Sequence, residues 1–443
     1  MHTFRRQLHV AVLACGSIEA GSAAAQQPRT HPAMLESLLT VSAPPDPRGV
    51  LALDDALRLS ARHHPALQGA AWRLRAAAAR RRDAGRWSNP SAALDVENFA
   101  GEVGSRRREI TASLGQVIDL GGDRAARVHA AQASEQLAWT ELTAEERRVL
   151  TATSERFLDA WTLQEKLGRL ARAEQLAAQA IEAANERFRA GAGPAVERIK
   201  AEAVLANRQA ERVRARAELR AAWQRLISQW GATDYNLDSL ALDVPARVRI
   251  PQPAELVTRL QQHPERLRAA AEVAFEEARL REMRAARVPD LEVSAGFRHL
   301  AEEETVAMVA GISIPLPLWG TQRASAEAAE AEREAASARE RLVRLRLQEE
   351  LRSAYERSLA AGEAHELIVD RVRPKAEEVL RQVSAGYRGG RFSSLELLDA
   401  QRSLLEADVA WVEATVEAWR ARAALEHLIG EPLGRIDAGE EGR

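Results

Sequence analysis

The sequence predicts a mostly α-helical chain with a membrane β-barrel portion, built as two structural repeats that each hold a strand pair and long helices. Three observations predict it. Matching residues recur about 199 positions apart, paired segments alternate apolar and polar residues, and two runs of about 66 residues keep a helical pattern. Only 4% of the residues are aromatic, which suits long packed helices better than a large globular core.

The first residues have the features of an export signal. Arg5 and Arg6 form a basic start, Leu8–Ala14 is a short apolar core, and Ala23–Ala25 fit a small-residue cleavage site. Residues 1–25 are therefore predicted to be a signal peptide. The chain is therefore expected to be exported from the cytoplasm.

Cys15 offers an alternative reading of this start. It follows Val-Leu-Ala, so a lipoprotein leader could end before Cys15 and leave that residue as a lipidation site. No other cysteine exists to form an internal disulfide. The proline-rich residues 26–50 are expected to form an extended N-terminal segment.

Landmarks recur in the same order in both halves of the chain. The offset is 199 residues for most of them and 198 between Gly122 and Gly320. The matched segments are His63–Pro65 with Gln262–Pro264, Asn89–Pro90 with Val288–Pro289, Phe188–Gly191 with Tyr387–Gly390, and Gln229–Gly231 with Leu428–Gly430. The expected boundaries are 51–231 for the first repeat, 232–252 for an equatorial linker, 253–430 for the second repeat and 431–443 for a C-terminal tail.

Each repeat contains a predicted strand pair. The strands are expected at about 91–99 and 108–118, and at about 290–298 and 305–315. Each is close to the roughly 9 to 11 residues that a tilted strand needs to cross a bilayer. Four strands cannot close a membrane barrel, whereas three chains would supply twelve. The alternation also fits ordinary hairpins of a soluble sheet, so that alternative stays open.

Helices flank the strand pairs. A helix of moderate length is expected before each pair, at Leu53–Trp87 and Pro253–Arg287. A helix of about 66 residues is expected after each pair, at Asp123–Phe188 and Thr321–Tyr387. At ~1.5 Å per residue such a helix is about 100 Å long, more than a compact domain needs.

Short segments with glycine connect strand to long helix. Gly121 and Gly122 end the first strand pair, and Trp319 and Gly320 end the second. Glycine adopts the dihedral angles that a sharp corner requires, so these residues are predicted to be barrel-to-helix corners. Trp319 fits an interfacial aromatic belt, and a packing role fits it equally well.

With these landmarks, residues 51–430 resemble the outer-membrane efflux protein family typified by TolC. The segments NPSAALDVENFAG (89–101) and GQVIDLGGDR (115–124) resemble its heavy-metal branch, which includes CzcC. The resemblance implies a homotrimer with a shared twelve-stranded β-barrel in outer-membrane lipid, continuing into a periplasmic α-barrel. It also implies two protein partners, a periplasmic membrane-fusion adaptor and, through the adaptor, an inner-membrane efflux pump.

The turns between the long helices are the other informative places. FRAGAGPAVERIKAE (188–202) and YRGGRFSSLELLDAQ (387–401) break a helix with glycines and restart it with proline or serine. In the family such turns close the periplasmic tip and dock the adaptor. The resemblance therefore implies gate residues, which are Glu197, Tyr387, Glu396 and Asp399, and turn or docking residues, which are Gly191, Gly193, Gly389, Gly390 and Arg391.

Two points about the tip stay open in the sequence. Phe392 stands near the position of the family's network arginine, and Arg391 is a candidate substitute for it. The acidic residues fit a pore ring that attracts cations. They fit equally well solvated acids in a first helical turn, which the helix dipole favours.

No catalytic signature occurs in the sequence, so neither an enzymatic activity nor a cofactor is predicted. The histidines do not have the spacing of metal ligands, so no metal site is predicted. Mixed charges with a net charge of -2 argue against nucleic-acid binding. The predicted function is the outer-membrane channel of a tripartite RND-type efflux system that passively exports divalent heavy-metal cations. The alternatives are drug efflux, type I protein secretion or a soluble helical scaffold.

Overall fold

A computed structural model describes residues 38–40, 43–98, 108–242, 250–316 and 321–430. The predicted signal peptide with Cys15 and the C-terminal tail lie outside these residues, as do the corner residues Trp319 and Gly320.

The described elements follow the predicted order in each half of the chain. In the first half they are β1 (Arg48–Ala52), α1 (Leu53–His63), α2 (Pro65–Ala84), β2 (Ser91–Glu97), β3 (Glu109–Ile118), α3 (Asp123–Arg189) and α4 (Ala195–Ile227). In the second half they are β4 (Asn236–Ala241), α5 (Pro253–Arg259), α6 (Pro264–Ala285), β5 (Leu291–Leu300), β6 (Thr305–Ser313), α7 (Thr321–Leu367), α8 (Arg373–Arg388) and α9 (Ser394–Ile429).

The chain divides into two compact units. The first unit contains residues up to 69, 145–263 and those from 345 onward, and the second contains 70–144 and 264–344. The first unit holds the turns between the long helices and a two-stranded parallel sheet of β1 and β4. The second unit holds a four-stranded antiparallel sheet in the order β2-β3-β5-β6.

The four-stranded sheet has one apolar and one polar face. Leu94, Ala112, Phe297 and Met308 are register partners in one row across the four strands. Met308 is 81% exposed, so no other described residue of the chain covers this part of the apolar face. The next row holds polar residues, among them Asp95, Thr111 and Arg298. None of the described helices is both long enough and apolar enough to cross a membrane.

The helices before the strand pairs are shorter than predicted. The sequence predicts single helices at Leu53–Trp87 and Pro253–Arg287, and both predictions are wrong in the same way. His64 (ψ 124°) and His263 (ψ 131°) adopt extended backbone, which separates α1 from α2 and α5 from α6. The proline that follows each histidine clashes with helical backbone at its predecessor, so the helix ends there and restarts. The helices then end at Ala84 and Ala285.

The long helices differ between the two halves. α3 runs without interruption over 67 residues. Its counterpart is divided by a π-helical turn at Ile368–Val372, directly before Pro374 in the first turn of α8. A proline inside an α-helix clashes with the carbonyl four residues earlier, and the wider turn provides the space.

The first unit has a core that the sequence did not reveal. β1 and β4 come from the predicted extended segment and the predicted linker, yet they pair in parallel. Their apolar residues pack with Phe157, Trp161, Trp230 and Val412 of the neighbouring helices. The linker is therefore partly strand.

Candidate functional site

The two turns between long helices have the same backbone geometry. Gly191 and Gly390 have φ of 66° and 74°, in the left-handed region that glycine adopts without strain. The next residue in each turn donates its N–H to the carbonyl five residues back, at 2.8 Å in both cases. Both helices thus end in the same glycine-dependent cap.

Arg187, in the last turn of α3, contacts the turn of the second repeat. Its guanidinium lies 4.7 Å from the centre of the Tyr387 ring, and its Nη1 donates a hydrogen bond of 2.8 Å to the Tyr387 carbonyl. Nη2 donates to the Ala192 carbonyl at 3.1 Å. One arginine therefore links the ends of α3 and α8 to each other.

Glu197, in the first turn of α4, completes this arrangement. The Tyr387 hydroxyl donates to Glu197 Oε2 at 3.1 Å, and Arg187 Nε lies 3.8 Å from the same oxygen. Arg187 and Glu197 side chains are only 17% and 14% exposed, so solvent screens this pair less than a surface pair. Arg187, Glu197 and Tyr387 are called the tip latch below.

Tyr387 is almost completely buried, with 1% of its surface exposed. Burial and the neighbouring Glu197 carboxylate raise the pKa of Tyr387 to about 12. Because the pKa rises above its ordinary value near 10, the hydroxyl contributes its full stabilisation below pH ~10 and loses it only as the pH rises toward 12. At neutral pH it is a permanent hydrogen-bond donor to Glu197.

Phe392 packs onto the helix beside the latch. Its ring fills the space over Gly386, where a Cβ atom would overlap the ring carbons. Leu380, Leu397 and Leu404 lie in the apolar cluster around Tyr387 and belong to α8 and α9. The latch residues are thus held by packed neighbours on both helices of the hairpin.

Glu396 has a local partner. Ser393 and Glu396 form a capping box: the Ser393 hydroxyl accepts from the Glu396 N–H, and Glu396 Oε2 accepts from the Ser393 N–H at 2.7 Å. These hydrogen bonds lower the pKa of the exposed Glu396 carboxyl. Asp399 is exposed in the next turn of α9.

The arginine that stacks on Tyr387 comes from a position that the sequence reasoning missed. Arg391, the candidate substitute, is exposed, and its backbone N–H rather than its side chain bonds the turn, at Gly386 O. Arg187 supplies the guanidinium instead. The signal for it was weak, because an arginine in the last turn of a helix is common there for its interaction with the helix dipole.

The predicted turn glycines differ in how crowded they are. A Cβ at Gly193 would lie 3.2 Å from Glu197 Oε2, whereas one at Gly191 would meet nothing within 4 Å. Around Gly389 and Gly390 the nearest atoms are at 3.7 Å or more. The turns therefore present an open backbone surface.

The first corner lies in the second unit. A Cβ at Gly121 would be 2.7 Å from the Ala285 carbonyl oxygen, so a side chain does not fit, and Gly122 has φ of 72°. Asp119 then caps α3 by accepting from the Asp123 N–H at 2.9 Å. Among the described residues, no group of three or more histidine, cysteine or acidic side chains is arranged to hold a metal ion.

The sequence model of the outer membrane efflux proteins matches the chain twice, at residues 56–232 and again at 256–431. The chain belongs to the outer membrane efflux protein family. The predicted fold class is confirmed, because the described chain is mostly helical, contains strands and has the fold of solved outer-membrane channels. This outer membrane efflux protein is therefore the outer-membrane channel of an efflux system.

The chain is similar to several individual proteins in sequence or in structure. It is 27% identical to the cobalt-zinc-cadmium resistance protein CzcC of Cupriavidus metallidurans over 87% of this chain and 92% of CzcC. The solved structure of CusC has a TM-score of 0.74 at 16% identity, covering 86% of this chain and 92% of CusC. The Campylobacter jejuni CmeC outer membrane channel has a TM-score of 0.72 at 14% identity, covering 95% of both chains.

Proposed function

We propose that three copies of this chain form a passive outer-membrane conduit for divalent heavy-metal cations and that the tip latch holds the conduit closed. A periplasmic adaptor docks at the glycine turns and links the conduit to an inner-membrane pump. Cation specificity is set by the pump, because the conduit itself has no predicted metal site.

The tip latch is the observation that carries this proposal. Arg187 and Glu197 belong to one hairpin and Tyr387 to the other, so their hydrogen bonds tie the two turns together. Opening the tip requires these bonds to break. A charged hydrogen-bonded group contributes roughly 1.5 to 3 kcal/mol, an amount that docking of an adaptor could offset.

Three observations support three chains and a heavy-metal cation cargo. β2 and β6 each have a single neighbour in the four-stranded sheet, and an open sheet edge in lipid leaves backbone groups unpaired. The polar face of the sheet is acidic: Arg298 is outnumbered by Asp95, Glu97, Glu109 and Glu292. An acidic lumen attracts cations. The similarity to CzcC supports a heavy-metal cargo.

The gating part is tested by Tyr387→Phe in a planar bilayer. This change removes the hydroxyl that bonds Glu197 and keeps the ring that stacks on Arg187. We expect the single-channel conductance or the open probability of the purified trimer to rise severalfold. Unchanged conductance would contradict the closing role of the latch.

Tyr355→Phe is the matched control. The Tyr355 hydroxyl has no hydrogen-bond partner in the part of the chain that the structure describes, so the same deletion should leave conductance unchanged. The cargo is tested separately in a deletion strain challenged with cobalt, zinc, cadmium, copper and nickel beside a panel of hydrophobic drugs. Sensitivity to drugs alone would overturn the metal cargo and keep the channel.

A further inference from the structure

Arginines are concentrated where the two moderate helices end, just before the strands begin. Residues 80–87 and 279–287, around the ends of α2 and α6, carry eight exposed arginines against two acids, Asp83 and Glu282. The eight residues, called the arginine collar, are Arg80, Arg81, Arg82, Arg86, Arg279, Arg281, Arg284 and Arg287. The same basic cluster thus recurs in both repeats.

Strands that cross the outer membrane would place the collar at the level of the lipid headgroups. β2 begins at Ser91 and β5 at Leu291, each only four or five residues after the last collar arginine. A strand of ten residues tilted by about 40° spans roughly 25 Å, which is the height of the apolar band of a membrane barrel. The residues that precede the strands therefore reach the headgroup layer on the helix side.

Part of this positive charge has no acidic partner among the residues that the structure describes. Arg81 pairs with Glu135 at 2.8 Å, and Arg284 pairs with Glu330 at 3.5 Å. Three other members, Arg80, Arg82 and Arg287, form no ion pair with any residue that the structure describes. Exposed arginines without acidic partners present free donors to an anion.

An apolar and aromatic surface adjoins the collar. Trp87 is 63% exposed, and the Arg124 guanidinium lies 4.8 Å from its ring centre. Arg124 Nε is fixed by a hydrogen bond of 2.8 Å to the Gly85 carbonyl. Leu120 and Val288 are about half exposed; Leu120 follows the end of β3, and Val288 precedes the start of β5. Tryptophan beside arginine is the combination that membrane interfaces favour.

We propose that the arginine collar is a binding surface for acidic phospholipids in the leaflet on the helix side. The free guanidinium groups bind the headgroup phosphates, and Trp87 with its apolar neighbours contacts the upper acyl chains. Arginine matches the geometry of phosphate oxygens with two parallel hydrogen bonds. The collar directly precedes β2 and β5 in the chain, so the surface adjoins the strand starts.

The test measures which lipid the protein retains. Purified full-length trimer is equilibrated with mixed micelles of equal phosphatidylglycerol and phosphatidylcholine, and the lipids that stay bound are quantified by mass spectrometry. We expect the retained ratio to favour phosphatidylglycerol by about fivefold, the effect expected from one arginine near an anionic surface. Raising the salt concentration about tenfold should reduce the ratio, because screening weakens exposed charges.

The test variant is Arg80→Gln/Arg82→Gln/Arg287→Gln, and it should retain both lipids nearly equally. Its matched control is Arg214→Gln/Arg216→Gln/Arg220→Gln, which removes the same charge from exposed positions of α4 and should keep the preference. Equal preference in the test variant and the wild type would overturn the proposal. So would a wild type that shows no lipid preference but binds inorganic phosphate. The assay does not depend on conductance or cargo, so its failure is distinct from failure of the proposed function.

Discussion

Gly386 and Gly362 are both glycines inside helices, but their surroundings differ. A Cβ at Gly386 would overlap the Phe392 ring, whereas one at Gly362 would meet nothing within 4 Å. We expect Gly386→Ala to lower the free energy of unfolding by about 1 to 3 kcal/mol, because the packed ring must move. Thermal unfolding of the detergent-solubilised protein measures this.

Gly362→Ala is the matched control, and its sign should be opposite. Alanine costs less backbone entropy than glycine in a helix, so stability should rise by roughly 0.5 to 1 kcal/mol. Combining Gly386→Ala with Phe392→Ala should cost less than the sum of the two single changes, since the clash is gone. If Gly386→Ala behaves like Gly362→Ala, Phe392 does not occupy the position described.

At the residue scale the sequence predicted the tip only in part. Tyr387 and Glu197 could be chosen from the resemblance because their own segments carry the motif. Arg187 could not, since its role depends on stacking against a ring 200 positions further along the chain. For Glu396 the sequence left two interpretations, a pore ring and a first-turn acid. The structure shows that its carboxylate caps the start of its own helix together with Ser393.

An ion pair with a buried carboxylate joins α8 to α9. Asp408 is 2% exposed, and its Oδ1 accepts from Arg373 Nε at 3.0 Å. Arg169 lies 3.7 Å from the same oxygen, and both guanidinium groups lie over the Trp411 ring. We expect Asp408→Asn to lower the free energy of unfolding by about 2 to 3 kcal/mol, because it leaves two half-buried arginines without their counter-charge.

Glu413→Gln is the control for this ion pair. Glu413 bonds Lys166 at 2.7 Å, but its side chain is 59% exposed. Solvent screens such a surface pair, so the loss should stay below ~1 kcal/mol. Chemical denaturation of both variants in the same detergent measures the two losses in free energy of unfolding. Equal losses in the two variants would mean that burial does not strengthen the Asp408 pair.

At the element scale the strands of the four-stranded sheet were predictable and the two-stranded sheet was not. Strict alternation marks β2, β3, β5 and β6, because one face is apolar over the whole length. β1 and β4 are short, lie near prolines and pair across more than 180 positions. Such a pairing leaves no periodic signal in either segment.

The open edges of the four-stranded sheet have a consequence for the whole assembly. Successive residues of a strand direct their N–H groups to opposite sides, so in an isolated chain one of the two changes Val309→Pro and Ala310→Pro in β6 would remove only an unpaired donor, and the other would remove a donor that faces β5. In a barrel closed by three chains both changes remove a hydrogen bond inside the membrane. We therefore expect both variants to lose the heat-resistant trimer on a denaturing gel.

Val309→Ala keeps the backbone donor and should keep the trimer. A trimer that survives one of the two proline changes would mean that the β6 edge is not paired with a neighbouring copy. The twofold family match and the fold are shared by many channels, so assembly could be predicted from the sequence only through the resemblance and the strand count.

The π-helical turn at Ile368–Val372 accounts for a difference in length between the two long helical stretches. Thr321–Arg388 has one residue more than Asp123–Arg189, although both stretches run from a corner to a glycine turn. One inserted residue would rotate everything after it by about 100° in a regular α-helix. The wide turn absorbs it beside Pro374, and Tyr387 still meets Arg187. By the same geometry, one inserted residue in the uninterrupted α3 would turn Arg187 away from its ring.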